Sequence, residues 1–423
     1  MEAVLRKILR CVGATMLVAL VPVHFAVQAM ATENAKPADD AGYEQTDEPP
    51  WYFEMQARLN LSENRLASDA RRSERIALWY DERDYEPLWI ENGKATSAAK
   101  EVVFVLLNAH EDGLIPGEYT PDDLFPKLQQ NGEAGLADFE VSLSTAVTLY
   151  GQHLRSGRVS PNDVNRELVL YPEDIAADVL LQQIADADDP VEALLGFAPQ
   201  TDRYDRLRNH LKHLTVVRAS GGWTQVPEGK ALKPGMTDAR VPALRQRLIE
   251  ARDLAEGAHS GNVYDGELVE ALKRFQVRMG IEADGVIGPA TLAQINTSVD
   301  KRFRQVEINL ERRRWMQADF GDPHVFVNLA DQVVKYVKDG KTRFAEVTQV
   351  GAPFHRTPVF SDEMEYLEFN PYWNVPYSIA TKEYLPKLKA NAFALESQNI
   401  RPLLNGQLVN PGTVPWQTYS RQN

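Results

Sequence analysis

Cysteine is nearly missing from this 423-residue chain: there is one, Cys11. No disulfide can form within the chain, and no set of thiolates can hold zinc. Histidine is also sparse, with 8 in all and none in an HExxH arrangement, so a metallopeptidase would lack its ligands. His210 and His213 stand three apart in HLKH. A lone pair without a third ligand reads as a solvated helix face, and no metal site is expected. Positive charge is short as well. The chain has 46 Lys and Arg against 60 Asp and Glu, a net charge of −14 and a pI of about 5.2. A nucleic-acid partner asks for a basic face, so none is expected, and nothing in the sequence calls for a cofactor.

What is present begins with an export pattern. Arg6, Lys7 and Arg10 precede the almost uncharged run CVGATMLVALVPVHFAVQAMA, in which AVQA and AMA end in small residues. This predicts a signal peptide over 1–31, cleaved near Ala29 or Ala31. The alternative is an uncleaved anchor, because the run approaches the length of a short span. Either way, membrane contact is expected only through this segment. Cys11 opens the run, whereas a lipid-modified cysteine would close it after small residues. Cleavage would remove the only thiol. Residues 32–50, TENAKPADDAGYEQTDEPP, are polar and acidic and read as a flexible linker.

The rest is too long for one core, and its pattern predicts a multidomain α+β protein. Residues 51–220 show helical spacing, as in RRSERIALWYDERDYEPLWI and LADFEVSLSTAVTLYGQHLRSG. Residues 229–297 form a second, three-helix unit. Its first helix is expected to begin at Thr237 or Asp238, and its third at Gly288-Pro289 after a turn at Asp284-Gly285, where Gly285 supplies a positive φ. Residues 301–423 open with the charged helix KRFRQVEINLERRRWM, whose Arg312–Arg314 run reads as a salt-bridged, solvated face beside Glu307 and Glu311. The period then switches to two. HVFVNLADQVVKYVKDGKTRFAEVTQVGAP predicts strand, turn, strand, an Asp339-Gly340 hairpin and strand, with more strand in VFSDEMEYLEFN. This last unit is expected to be β-rich, incomplete and poor in core.

Three stretches carry a family resemblance. FQVRMGIEADGVIGPATLAQIN resembles the three-helix peptidoglycan-binding module. NLERRRWM, VFVNLADQVVKYV and VGAPFHRTPVFSDEMEYLEFNPYWNVPYSIATKEYLPKL together resemble the start of the catalytic domain of the large murein L,D-transpeptidases, the YkuD type. LNAHEDGLIPGEYTPDDL and YGQHLRSGRVSPNDV resemble the helical scaffold domain that precedes the other two in that family. The resemblance implies a periplasmic protein of a Gram-negative envelope whose partners are peptidoglycan stem peptides and glycan. It implies attack by a cysteine thiolate on the amide after a meso-diaminopimelate residue, then transfer to a neighbouring stem as a 3→3 crosslink; attachment of a lipoprotein instead stays open. A thiolate suits such acyl transfer as nucleophile and leaving group. The family places that cysteine and its histidine in and just before a Ser-His-Gly-Cys-x-Arg type motif, and this sequence contains none. The expectation is a chain truncated before that motif, with no catalytic residue of its own and no activity alone. The alternative is a non-catalytic peptidoglycan-binding scaffold.

Other candidates carry less. Ser97-Ala-Ala-Lys100 and Ser397-Gln-Asn399 match the SxxK and SxN of serine-type penicillin-binding enzymes, but Lys341-Thr342 is followed by Arg343, not glycine. His355 precedes the position of the family's catalytic histidine. The substrate-binding candidates are Asn370, Trp373 and Asn374 in FNPYWNVP, a loop stiffened by Pro371 and Pro376. Trp373 would wall a cleft for the donor stem; the competing reading has Tyr372 and Trp373 packing against the sheet.

Overall fold

The computed structural model describes residues 51–60, 67–257, 261–316 and 320–420. The expected signal peptide over 1–31 and linker over 32–50, and Cys11 with them, lie outside the described residues. No helix among the described residues is long and apolar enough to cross a membrane.

The scaffold is helical. Helices α1 (Trp51–Asn60) and α2 (Ala67–Asp81) lead through a short hairpin, β1 (Ile90–Glu91) and β2 (Lys94–Ala95), to α3 (Ser97–Leu107). Thr96 caps α3 by accepting a hydrogen bond from the Ala99 N–H at 3.0 Å, which satisfies one of the donors that a helix start leaves unpaired. After α4 (Pro121–Lys127) comes the 24-residue α5 (Glu133–Ser156). Its Phe139, Leu143, Val147, Tyr150 and Leu154 recur at helical spacing and are fully buried, so the other helices pack around it. The chain continues through α6 (Pro161–Val164), α7 (Ala177–Ala185) and α8 (Pro190–Leu195) to α9 (Asp202–Ala219), capped by Thr201.

The peptidoglycan-binding-like unit holds α10 (Val241–Glu250), α11 (Gly266–Arg278) and α12 (Pro289–Ile295). The first begins later than Thr237 or Asp238. Asp238 instead accepts from the Arg240 N–H at 2.9 Å and grips its guanidinium, and Pro242 sits in the first turn, where a missing N–H costs nothing. The turn before α12 is as expected, with Gly285 at φ +70°. The buried Gln276 amide organises it. Its Nε2 donates to Asp284 at 2.8 Å and to Thr291 at 3.2 Å, and its Oε1 accepts from the Gly285 N–H at 2.9 Å. A Cβ on Gly285 would lie 2.9 Å from Val269 Cγ1. Gly285→Ala is expected to cost about 1–3 kcal/mol from left-handed strain plus overpacking. Urea unfolding will read this, and an unchanged midpoint would contradict it.

Helix α13 (Val299–Arg314) corrects the solvated-face reading of Arg312–Arg314. Val299, Val306 and Leu310 lie in the scaffold core, alongside Leu211 and Leu214 of α9. Arg312 is exposed, but Arg314 is 1% exposed. Its guanidinium donates to the Tyr204 hydroxyl at 2.8 Å and to the Asp112 carbonyl, and lies 3.2 Å from Glu311. The run looked uniformly polar because a helix turns 100° per residue, so three consecutive arginines do not share one face.

Beyond α13, strands β3 (His324–Asn328), β4 (Val333–Lys338) and β5 (Lys341–Val347) form an antiparallel meander. Asp339 and Gly340 turn it with φ of 52° and 64°, as a two-residue hairpin requires. The expected strand in VFSDEMEYLEFN does not form. Apart from a bridge at Val359, this stretch pairs with no strand among the described residues. Its alternation is partial, because Asp362 and Glu368 fall on one face of an extended segment and Glu363 and Glu365 on the other, and β5 offers no pairing to it. Helical turns over Tyr377–Ile379, Ala380–Tyr384 and Leu385–Ala390 follow, the middle one π-helical, and then the small hairpin β6 (Leu403–Leu404) and β7 (Gln407–Leu408). Core is scarce here. Among the described residues after Trp315 only Leu395 is buried, while Phe354, Phe369 and Tyr372 are almost fully exposed.

Candidate functional site

The loop from Val350 to Pro376 is held at two points. At its start, Gly351 donates to Thr357 Oγ1 at 2.8 Å, and His355 donates through its backbone to the Ala352 carbonyl at 2.8 Å. A Cβ on Gly351 would fall 2.0 Å from the His355 carbonyl oxygen, so only glycine lets the turn close. Next, Val359 joins the scaffold. Its N–H donates to the Glu167 carbonyl at 2.9 Å, and its carbonyl accepts from the Val169 N–H at 2.8 Å, a parallel bridge between Leu168 and Val359. Arg203 of α9 stacks over the Phe326 ring of β3 at 4.8 Å. The scaffold thus supports both the sheet and the loop beside it.

The far end of the loop carries the candidate residues. Asn370 takes a left-handed φ of 54°, a conformation asparagine tolerates better than most residues. Tyr372 projects into solvent. Trp373 is 59% exposed and meets the Tyr384 ring edge-on, centroids 6.4 Å apart. Tyr384 in turn lines an apolar cavity of about 350 Å³, with Val375, Tyr377, Leu388, Leu395 and Trp416. Glu396 and Arg401 are its charged members. The structure therefore brings Trp373 to this cavity's edge, while Asn370 and Asn374 are exposed and do not line it. Sequence reasoning missed Tyr377, Tyr384, Arg401 and Trp416. The two tyrosines seven apart in YSIATKEY carried a signal, since that spacing returns to one helical face.

Other sequence candidates scatter. Ser97 and Lys100 are exposed in the first turn of α3, and His355 is an exposed loop residue. His210 and His213 stack loosely on α9, centroids 6.2 Å apart. No group of acidic, histidine or cysteine side chains among the described residues could hold a metal ion. Ionisable groups shifted by burial lie away from the loop, Glu140 and His153 in the scaffold and Arg247 in the three-helix unit. Burial drives Glu140 up to about 7 against the hydrogen bonds it accepts, and burial followed by nearby arginines drives His153 down to about 3.

Three family profiles match the chain: a scaffold domain over 74–211, a "Putative peptidoglycan binding domain" over 237–295, and an L,D-transpeptidase catalytic domain, YkuD, over 322–423. The match to the L,D-transpeptidase catalytic domain thus covers the last 102 residues, and the other two matches precede it in the chain. Among curated relatives, the chain is 30% identical over 126 residues to a "Putative L,D-transpeptidase" of Haemophilus influenzae, covering 29% of this chain and 25% of that protein. It is 40% identical over 83 residues to the N-acetylmuramoyl-L-alanine amidase CwlL of Bacillus licheniformis, covering 19% of this chain and 23% of that protein. The chain thus spans about a quarter of the length of these relatives. The chain combines sequence similar to scaffold, peptidoglycan-binding and L,D-transpeptidase catalytic domains in an α+β fold.

Proposed function

We propose that this chain serves peptidoglycan crosslinking in the periplasm of a Gram-negative cell, exported by its N-terminal segment, and that it supplies stem-peptide recognition for L,D-transpeptidation. The observation that carries the reading is the match of 322–423 to the catalytic domain, with Trp373 at the edge of an aromatic cavity inside it. Trp373 and Tyr384 form an apolar wall, and Arg401 and Glu396 offer partners for the carboxylates and amines of a stem peptide. Asn370 and Asn374 extend the contact along the loop. The chemistry the family performs is acyl transfer through a thiolate, and the chain's one thiol is Cys11. The chain is therefore expected to bind stem peptides without turning them over. That single cysteine also favours a second reading, a peptidoglycan-binding scaffold without catalysis.

A tetrapeptide muropeptide titrated into the chain tests the first reading. Trp373→Ala is expected to weaken binding about tenfold, or roughly 1.4 kcal/mol, with circular dichroism and the unfolding midpoint unchanged. Equal affinity for the variant would remove Trp373 from the site, and a lost fold would return it to a packing role. Dimers crosslinked 3→3 in the product mixture would overturn the expectation of no turnover.

A further inference from the structure

The cavity that Trp373 borders has an interior that a stem peptide does not account for. It encloses about 350 Å³ between the helical turns over 377–390, the stretch 392–402 and the turns over 411–420. Val375, Leu385, Leu388, Ala392, Leu395 and Ile400 supply its aliphatic lining, and Tyr384 and Trp416 its rings. Two of its polar members are already occupied. The Thr381 hydroxyl donates to the Tyr377 carbonyl at 2.9 Å, and the Trp416 indole N–H donates to the Pro411 carbonyl at 2.8 Å. An amide placed deep inside would therefore give up its hydrogen bonds to water for few replacements. Hydrocarbon has none to give up.

The size of the cavity sets the length of that hydrocarbon. An apolar cavity of about 150 Å³ takes one benzene ring, so this one has room for roughly a dozen carbon atoms. The unit around it also lacks filling of its own, since Leu395 is the only buried side chain among the described residues after Trp315. The cavity stands where a core would be.

Charge selects the head of the ligand. Between 375 and 402 the chain carries Lys382, Lys387, Lys389 and Arg401 against Glu383 and Glu396, a local excess of 4 − 2 = +2 in a chain of net −14. Lys387 Nζ lies 5.6 Å from the centroid of the Tyr384 ring, which lines the cavity. Arg401 and Glu396 line it as well. Lys387, Glu396 and Arg401 are exposed, so the charged members meet water while Leu395 does not.

We propose that this cavity binds a free straight-chain fatty acid of about twelve carbons. Its chain lies against Leu388, Leu395 and Ile400, and its carboxylate faces Lys387 and Arg401. The bound chain serves as core for the unit. The inference goes beyond the stem-peptide reading, which uses the rim of the cavity and leaves its interior empty.

The test is calorimetric titration of the full chain with sodium salts from hexanoate to hexadecanoate, each below its micelle concentration. Every buried methylene should raise affinity about fourfold, and the rise should stop near dodecanoate, where the cavity is full. Affinity that ignores length overturns the proposal, because no chain is then buried. Affinity that keeps climbing to hexadecanoate also overturns it, because adsorption has no such limit. Dodecyltrimethylammonium has the same chain and the opposite head, and should bind about tenfold more weakly than dodecanoate. Lys387→Glu with Arg401→Glu should abolish that preference, and an unchanged preference would reject the carboxylate's place. Ala392→Phe narrows the interior and should cut dodecanoate affinity about tenfold; the charge-reversed variant stays decisive if this one misfolds. Binding to phosphatidylglycerol vesicles without binding to dodecanoate would mean membrane contact and would reject the site. If dodecanoate is ignored while the muropeptide binds through Trp373, this proposal fails and the stem-peptide reading stands. The reverse result sinks that reading and keeps this one.

Discussion

Arg314→Met is expected to destabilise the scaffold by about 3–5 kcal/mol, the usual cost of removing one partner from a buried charged network. The side chain is almost wholly enclosed and serves three elements at once. It donates to the Tyr204 hydroxyl on α9, to the Asp112 carbonyl after α3, and pairs with Glu311 one turn earlier on its own helix. Methionine fills similar space but leaves the carbonyl unpaired and strips Glu311 of a cation. Asp112 keeps Arg208 at 2.6 Å and the Tyr150 hydroxyl at 3.0 Å, so the loss should centre on α13. Whole domains are stable by only about 5–15 kcal/mol, so a large share of the margin would go. Urea unfolding followed by tryptophan fluorescence measures the loss, and hydrogen exchange should show residues 299–314 opening first. A change under about 1 kcal/mol would mean that α13 is held by its apolar contacts alone.

The second large effect concerns Glu140 and pH. Its carboxylate accepts from the Tyr80 hydroxyl at 2.7 Å, the Leu88 N–H at 2.6 Å and the Trp89 N–H at 3.0 Å. Those bonds favour the charged form, as does the more distant Arg83, yet burial outweighs them and holds the group up to about 7 from an ordinary 4.5. Folded protein therefore keeps this proton over a window in which unfolded chain has lost it. Stability from Glu140 is fully present below about pH 4.5 and declines as pH rises through about 7, by about 3 kcal/mol in all, an order-of-magnitude figure. His153 works the other way. Its folded value, depressed to about 3, makes stability rise with pH up to about 6.5. The two slopes oppose one another between about pH 4.5 and 6.5, so the wild-type curve alone does not isolate Glu140. The difference between wild type and Glu140→Gln does, and that difference should move in the glutamine's favour from pH 5 to pH 8. Parallel curves would show that Glu140 titrates normally, and the opposite slope would show that its hydrogen bonds defeat its burial.

The parts legible in the sequence were those written in local chemistry. Asp339-Gly340 between alternating strands, Asp284-Gly285 before Pro289, and Thr96 before an apolar helix each specify a backbone shape within a few residues. The parts that were not legible depend on partners distant in sequence. Arg314 reads as surface charge until Tyr204 and Asp112 come together around it. Glu140 sits in an amphipathic helix like any other glutamate, and only the packing of Trp89 and Tyr80 encloses it. VFSDEMEYLEFN has in part the period of a strand, but a strand exists only beside another, and the sequence does not say which neighbour is offered. Trp373 is a candidate from the sequence because of the aromatic and amide cluster beside Pro371 and Pro376. Its companions Tyr384 and Trp416 are not, because the cavity closes through the turns between 377 and 420.

The bridge between Leu168 and Val359 also bears on the order in which the protein assembles. Its two sides lie about 190 residues apart, so it contributes contacts of very high sequence separation, the kind that form late and slowly. A chain made from its N-terminus finishes the scaffold well before Val350 is synthesised. The edge at Glu167–Val169 is then waiting when the loop emerges, and the loop settles against a finished template instead of searching for one. The scaffold is in this sense an intramolecular chaperone for the loop.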